Sequence, residues 1–193
     1  MISSKKDYKN YIDQDRKALG IKPKGLGGKI MDYLSPNYIW KFQKTMRKLE
    51  YYSNCKNSGV YKPYIAYLKY KFKKISVKLG FSIPINVFGP GLSIVHYGTI
   101  VINRNTNIGS NCRMHACVNI GASGGEKGAP QIGDNVYIAP GAKIYGDIKI
   151  ASNIAIGANA VVNKSCEQEN VALAGVPAKP IGNVDIKKII KHI

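Results

Sequence analysis

The sequence predicts a mainly β protein, a parallel β-helix preceded by an α-helical segment, and three observations carry that prediction. Aliphatic residues recur every six positions through the C-terminal half, Gly and Asn fill many of the places between them, and the first 80 residues instead carry apolar stripes at helical spacing. A chain of 193 residues with 45% apolar content has ample material for one core and is too apolar to be disordered. Its 20 glycines follow no three-residue period, which excludes collagen, and its 4 cysteines are too scattered for a disulfide scaffold.

Three segments follow in order: a basic helical segment over residues 1–80, the β-helix over 81–181, and a tail over 182–193 that is a candidate helix. In the first, a short helix is expected over Lys5 to Leu19, and the turn-like stretch Ile21 to Gly28, with Pro23, ends it. Ser35 before Pro36 reads as an N-cap with proline at the first helical position, and Ile39, Trp40, Phe42, Met46 and Leu49 then form an apolar stripe. A further helix is expected from Tyr61 to Leu79, with Ile65, Leu68, Phe72, Ile75 and Leu79 on one face and Gly80 as its stop.

The net charge of +18 is unevenly spread. Residues 1–80 hold 19 Lys plus Arg against 5 Asp plus Glu, +14, whereas residues 81–193 hold 10 against 6, +4. A basic, Tyr-rich surface suits an anionic partner, and of the candidates peripheral contact with a membrane surface is retained over nucleic acid; a solvated helical face explains it equally well. The N-terminus, Met1 to Tyr8, has no apolar stretch of signal-peptide length, so a cytoplasmic protein is expected, with Cys55, Cys112, Cys117 and Cys166 as reduced thiols.

From Ile102 the six-residue rhythm runs through Ile108, Met114 and Ile120, then resumes at Ile132, Ile138, Ile144, Ile150, Ile156 and Val162. Four residues after most of these stands a second small or apolar side chain: Thr106, Cys112, Val118, Val136, Ala142, Ile148, Ile154 and Ala160. Gly109, Asn111, Gly133, Asn135, Gly157 and Asn159 lie between. A unit that buries one aliphatic and turns at Gly or Asn makes a flat strand and a corner, so three units close a triangular coil, and coils stack about 4.8 Å apart. A helix fails here because a six-residue spacing drifts around a 3.6-residue turn. The rhythm breaks twice. The glycine-rich stretch Ser123 to Pro130 is an expected loop, and Ile94 and Ile100 run two residues out of step, with His96 inside the shift.

Residues 81–179, with this ladder, Ser93-Ile94-Val95-His96-Tyr97-Gly98, the loop ending in Ala129-Pro130, and Ala174-Gly175-Val176-Pro177-Ala178-Lys179, resemble the hexapeptide-repeat acyltransferases. Within them the chain is similar to the serine acetyltransferase group, since a helical segment precedes the repeats and the histidine follows a Gly-x-Gly, here Gly89-Pro90-Gly91. The resemblance implies a left-handed β-helix, acetyl-CoA as co-substrate, no metal, and a homotrimer, or a dimer of trimers, with active sites between neighbouring prisms. A histidine is the family's general base, and His96 matches it; the chemistry needs one because a hydroxyl is a poor nucleophile at neutral pH. His115, which alternation turns outward, is a candidate for substrate contact. Gly121, Gly124, Gly125, Ala139, Gly141, Gly157 and Ala158 fall where the family lays the pantetheine arm, and Lys179, with Lys127, where a basic residue can meet a CoA phosphate. His192, in the basic tail, is expected to be solvated.

The departures concern the acceptor. The serine enzymes carry an Asp before the histidine, an Arg-His pair before the loop's closing proline, and an orienting Asp about fifteen residues upstream; these places hold Val95, Gly128 with Ala129, and Phe81. Groups that would grip a free amino acid are therefore missing, which favours a sugar hydroxyl of a surface polysaccharide or its precursor over serine. Asp15 is a candidate carboxylate to swing over the site, against ordinary surface pairing with its helix neighbours. The expected activity is acetyl-CoA-dependent O-acetyl transfer; the rivals are serine acetylation in cysteine biosynthesis and a non-catalytic β-helix scaffold that binds membrane or nucleic acid.

Overall fold

Two apolar residues per six-residue unit point inward and pull the chain into coils. A computed structural model describes residues 1–22, 34–56 and 58–193. The coils contribute short strands to three faces, within which consecutive coils pair in parallel. One face stacks Phe81–Ser82, Ile100–Ile102, Asn119–Gly121, Lys143–Tyr145 and Val161–Val162. The second stacks Asn107–Ile108, Gln131–Ile132 and Lys149–Ile150. The third runs Ser93–Ile94, Arg113–Met114, Tyr137–Ile138, Ala155–Ile156 and Val171–Gly175, and ends on the antiparallel strand Ala178–Asn183. This is a left-handed parallel β-helix.

The register explains the breaks in the rhythm. Lys143 pairs with Val161 and Tyr137 with Ala155, eighteen residues on, which is three units. Asn119 pairs with Lys143, twenty-four on, because the loop over residues 122–130 sits outside the coil. Ser93 pairs with Arg113, twenty on, and the two surplus residues carry His96 past the strand's end. The ladder residues Ile102 through Val162 are all buried, as are Cys112, Val118, Val136, Ala142, Ile148, Ile154 and Ala160. At the corners Asn111, Asn135 and Asn153 take positive φ and donate side chain to side chain up the stack at 2.9 Å, so the Asn positions turn the chain. Gly109 has no positive φ; a Cβ there would lie 2.7 Å from the Gly133 carbonyl carbon, so it is glycine because neighbouring coils pass too closely.

Among the described residues, three helices cover one end of the prism: α1 (Lys5–Ala18), α2 (Tyr38–Cys55) and α3 (Lys62–Leu79). Ser4 caps α1, accepting the Asp7 N–H at 3.0 Å, and Gly80, at φ 76°, ends α3. The expected cap of α2 moves by two residues. Asn37, not Ser35, accepts the Trp40 N–H at 2.9 Å, because a cap must stand three residues before the amide it serves and Pro36 holds the chain extended just outside the helix. The turn expected over Ile21 to Gly28 lies outside the described residues beyond Lys22. Phe42, Met46, Ile75 and Leu79 enter the same core as the β-helix, and Phe42 meets Phe81 edge-on at 5.0 Å.

The tail forms a single 3-10 turn, Ile186–Lys188, in place of a helix. It lies against the third face, where Ile186 and Ile190 pack with Ala155, Tyr137 and Ala172.

Candidate active site

His96 follows the strand Ser93–Ile94 and is exposed. The turn beyond it is tied to the helical segment, since Gly98 N–H donates to the Leu79 carbonyl at 3.0 Å. Gly98 has φ 131°, a backbone that side-chain-bearing residues rarely adopt, so glycine lets the chain reverse directly after His96.

Stacking of the third face then builds a row of rings. His115 follows Arg113–Met114, and its ring centroid lies 5.7 Å from that of His96. Tyr137, one coil further, meets His115 edge-on at 5.3 Å. Burial pushes the half-buried His115 imidazole below its ordinary pKa, and the Arg113 and His96 charges push it the same way. Arg113 was not foreseen, although it stands two residues before His115 and so shares its outward phase. Its Nη1 donates to Ser93 Oγ at 3.5 Å. With Val95, Ser93, Ile94, Ala18, Leu19, Asn37 and Ile39 it lines a hollow of about 190 Å³.

His192 belongs to this neighbourhood and is not a solvated tail residue. Burial and the Arg113 charge lower its pKa, and its Nε2 is buried without a hydrogen-bond partner among the described residues. The tail's isoleucines, seated on the third face, bring it there.

Asp15 is corrected outright. It neither swings over the site nor pairs on the surface, being fully buried. Its carboxylate accepts the backbone N–H groups of Gly91 and Leu92, both at 2.9 Å, and pairs with Arg47 Nε at 2.8 Å. Arg47 in turn donates to Glu50 Oε2 at 3.1 Å, to the Phe88 carbonyl at 3.0 Å and to the Gly89 carbonyl at 2.6 Å. Glu50 accepts the Asn86 N–H at 2.8 Å, and Gln43 Nε2 donates to the Leu92 carbonyl at 2.8 Å. Burial alone would lower the Arg47 pKa, but the two carboxylates outweigh it and raise it. This network clamps the Gly89-Pro90-Gly91 loop from which the strand leading to His96 departs. Helical phase carried the signal: Asp15 falls on the buried stripe of Tyr11 and Ala18, and Arg47 and Glu50 on that of Met46 and Leu49. The surface pairing is made by Asp13, with Arg16 at 2.7 Å and Lys17 at 2.9 Å.

The remaining candidate positions lie along the stacked coils. Ala139 is buried, while Gly121, Gly141 and Gly157 are half-buried and Ala158 is exposed. A Cβ on Gly157 would lie 3.2 Å from the Ala174 Cβ, and Ala174 pairs with the exposed Lys179, which brings Gly157 and Lys179 to one edge of the prism. Gly124 and Gly125 stand in the exposed loop with open space around them, as does Lys127. At the loop's other end a Cβ on Gly128 would lie 2.5 Å from the Asp147 side chain, and Ala129 is buried, so the backbone fills the space that longer side chains would need. Phe81 is buried and apolar. Among the described residues no group of three or more His, Cys, Asp or Glu is arranged to hold a metal ion.

Residues 129–164 match the bacterial transferase hexapeptide model, described as six repeats. Over 91 residues the chain is 45% identical to a serine acetyltransferase of Staphylococcus epidermidis, a match that covers 46% of this chain and 42% of that protein. A Staphylococcus aureus serine acetyltransferase is 44% identical over 91 residues with the same shares. The solved serine acetyltransferase of Brucella abortus in complex with coenzyme A superposes with a TM-score of 0.70 at 25% identity, covering 94% of this chain and 70% of that one. The chain has the fold of the serine acetyltransferases. A Vibrio cholerae serine acetyltransferase shares the fold at TM-score 0.70 and 24% identity, covering 92% of this chain and 67% of that one. In sequence, the chain spans less than half the length of the curated relatives it matches. No described helix is long and apolar enough to cross a membrane.

Proposed function

We propose that the chain is an acetyl-CoA-dependent O-acetyltransferase with His96 as its general base. The observation that carries the reading is an exposed imidazole at the β-helix's register shift, 5.7 Å from a second imidazole, on a fold shared with serine acetyltransferases. Acetyl-CoA supplies an acetyl group already activated as a thioester. Small residues at Gly141 and Gly157 leave the backbone open to a pantetheine arm, to which the buried Ala139 has no access, and Lys179 offers a point charge to a phosphate. His96 takes the acceptor hydroxyl's proton at an imidazole nitrogen as the oxygen attacks, then returns it to the departing thiolate. A homotrimer would set each His96 in a cleft against the next prism.

For the acceptor, the relatives' names favour serine, and this replaces the polysaccharide sugar as the first choice. The sugar keeps one argument of its own: Val95, Gly128, Ala129 and Phe81 bring no charge to the places where the serine enzymes grip an amino acid. Incubation with acetyl-CoA and either L-serine or a panel of nucleotide sugars and oligosaccharides, followed by free-thiol release, tests both. Release with serine is expected. Release with sugars alone would transfer the assignment to a glycan, and no release together with no calorimetric CoA binding would leave a scaffold.

A further inference from the structure

A lysine-lined groove lies among the helices. The outward side of α2, the facing side of α3 and Tyr8 of α1 enclose a groove of about 690 Å³ to which no β-helix residue contributes. Its lining combines Lys41, Lys44, Lys48 and Lys71 with Trp40, Tyr64 and Tyr67, and includes no Asp or Glu among the described residues. The lysines are set against rings: Lys44 Nζ is 5.3 Å from the Trp40 ring centroid and Lys48 Nζ 5.3 Å from that of Tyr64. A hydrogen bond to Tyr64 raises the Lys48 pKa, so that ammonium stays charged.

The described carboxylates of the helical segment are engaged elsewhere: Asp7 with Ser3, Asp13 with Arg16 and Lys17, Asp15 and Glu50 with Arg47. Four ammonium groups in one concavity repel one another unless an anion enters. The same repulsion argues against a second copy of this chain, whose matching groove would bring the same charge. Ammonium groups suit phosphate oxygens, and the rings beside them supply flat apolar surface for a neighbouring ring or chain.

We propose that this groove binds a phosphate-bearing ligand, its phosphates held by Lys41, Lys44, Lys48 and Lys71 and its organic part laid against Trp40 and Tyr64. The site is separate from the acetyl-transfer reading and does not depend on it. Because Trp40 is the protein's single tryptophan, its fluorescence reports on the groove alone. Titration of the whole protein with sodium pyrophosphate at low salt, and separately with phosphatidylcholine vesicles with and without phosphatidylglycerol, distinguishes a free phosphate from a lipid headgroup. Saturable change of Trp40 emission with pyrophosphate, or only with phosphatidylglycerol vesicles, is expected. It should weaken about tenfold or more in Lys44→Glu/Lys48→Glu and at high salt. If that variant fails to fold by circular dichroism, Lys44→Gln/Lys48→Gln takes its place. Unmoved emission together with no retention of pyrophosphate in equilibrium dialysis and no vesicle sedimentation overturns the proposal. So does undiminished affinity in the folded variants, or emission that responds only to protein concentration, which would seat a second copy there.

Discussion

Asp15 and Arg47, thirty-two residues apart in sequence, meet at 2.8 Å with both side chains fully buried. Neither lies close to His96 in sequence, yet together they hold the backbone of Phe88 to Leu92, from which the strand to His96 begins. A buried pair of this kind stabilises only while both charges and their remaining hydrogen bonds are present.

Arg47→Met would leave two carboxylates buried without their cation. A loss of about 3–5 kcal/mol is expected, with Tm lower by about 6–20 °C in a protein of this size. Thermal unfolding followed by circular dichroism measures it. Asp15→Asn should lower stability and turnover together; a variant in which only the acceptor KM rises, at unchanged Tm, would restore Asp15 to substrate binding.

His96→Asn should cut acetyl transfer by about 10²–10⁴-fold, the range for losing a positioned general base. Its side chain is exposed and lies outside the core, so the melting temperature and the calorimetric CoA affinity should stay close to wild-type values. Undiminished turnover refutes the assignment.

Stability should fall on acidification through two half-buried imidazoles. His115 and His192 have folded-state pKa values below the ordinary 6.5, so the unfolded chain binds protons that the folded one resists. Stability therefore rises with pH across the interval between the lowered values and 6.5, and is lost as pH falls through it. Urea midpoints measured from about pH 8 to pH 5 should decline, and the decline should flatten in His115→Gln/His192→Gln.

Burial pushes the Cys112 thiol up to about 12, whereas Cys117 is exposed at the next corner. Alkylation of the native protein at neutral pH should modify Cys117 and spare Cys112 until the chain is unfolded, as peptide mass spectrometry would reveal. Early labelling of Cys112 would mean that the coil at Met114 opens readily.

The coil itself was legible because it is a local device. Six-residue spacing, Asn at left-handed corners and one inward aliphatic per unit are each decided within a few residues, so the three-sided stack and the shift at His96 follow without any tertiary knowledge. The α2 cap was off by two residues because Ser35 and Asn37 flank the proline and only the amide of Trp40 tells them apart.

The partners of the site are a different matter. By itself the sequence determined the ladder, the outward phase of His115, the position of His96 and the concentration of positive charge in the helices. Only the tertiary structure decided that Asp15 is sealed against Arg47 and the Gly91 amide seventy-six residues away, that His192 returns to Arg113, and that four lysines line one groove with Trp40. The physical reason is separation along the chain: a repeat specifies its own neighbours, whereas a carboxylate on a helix has the same local sequence whether it faces water or a guanidinium, and packing alone selects between them.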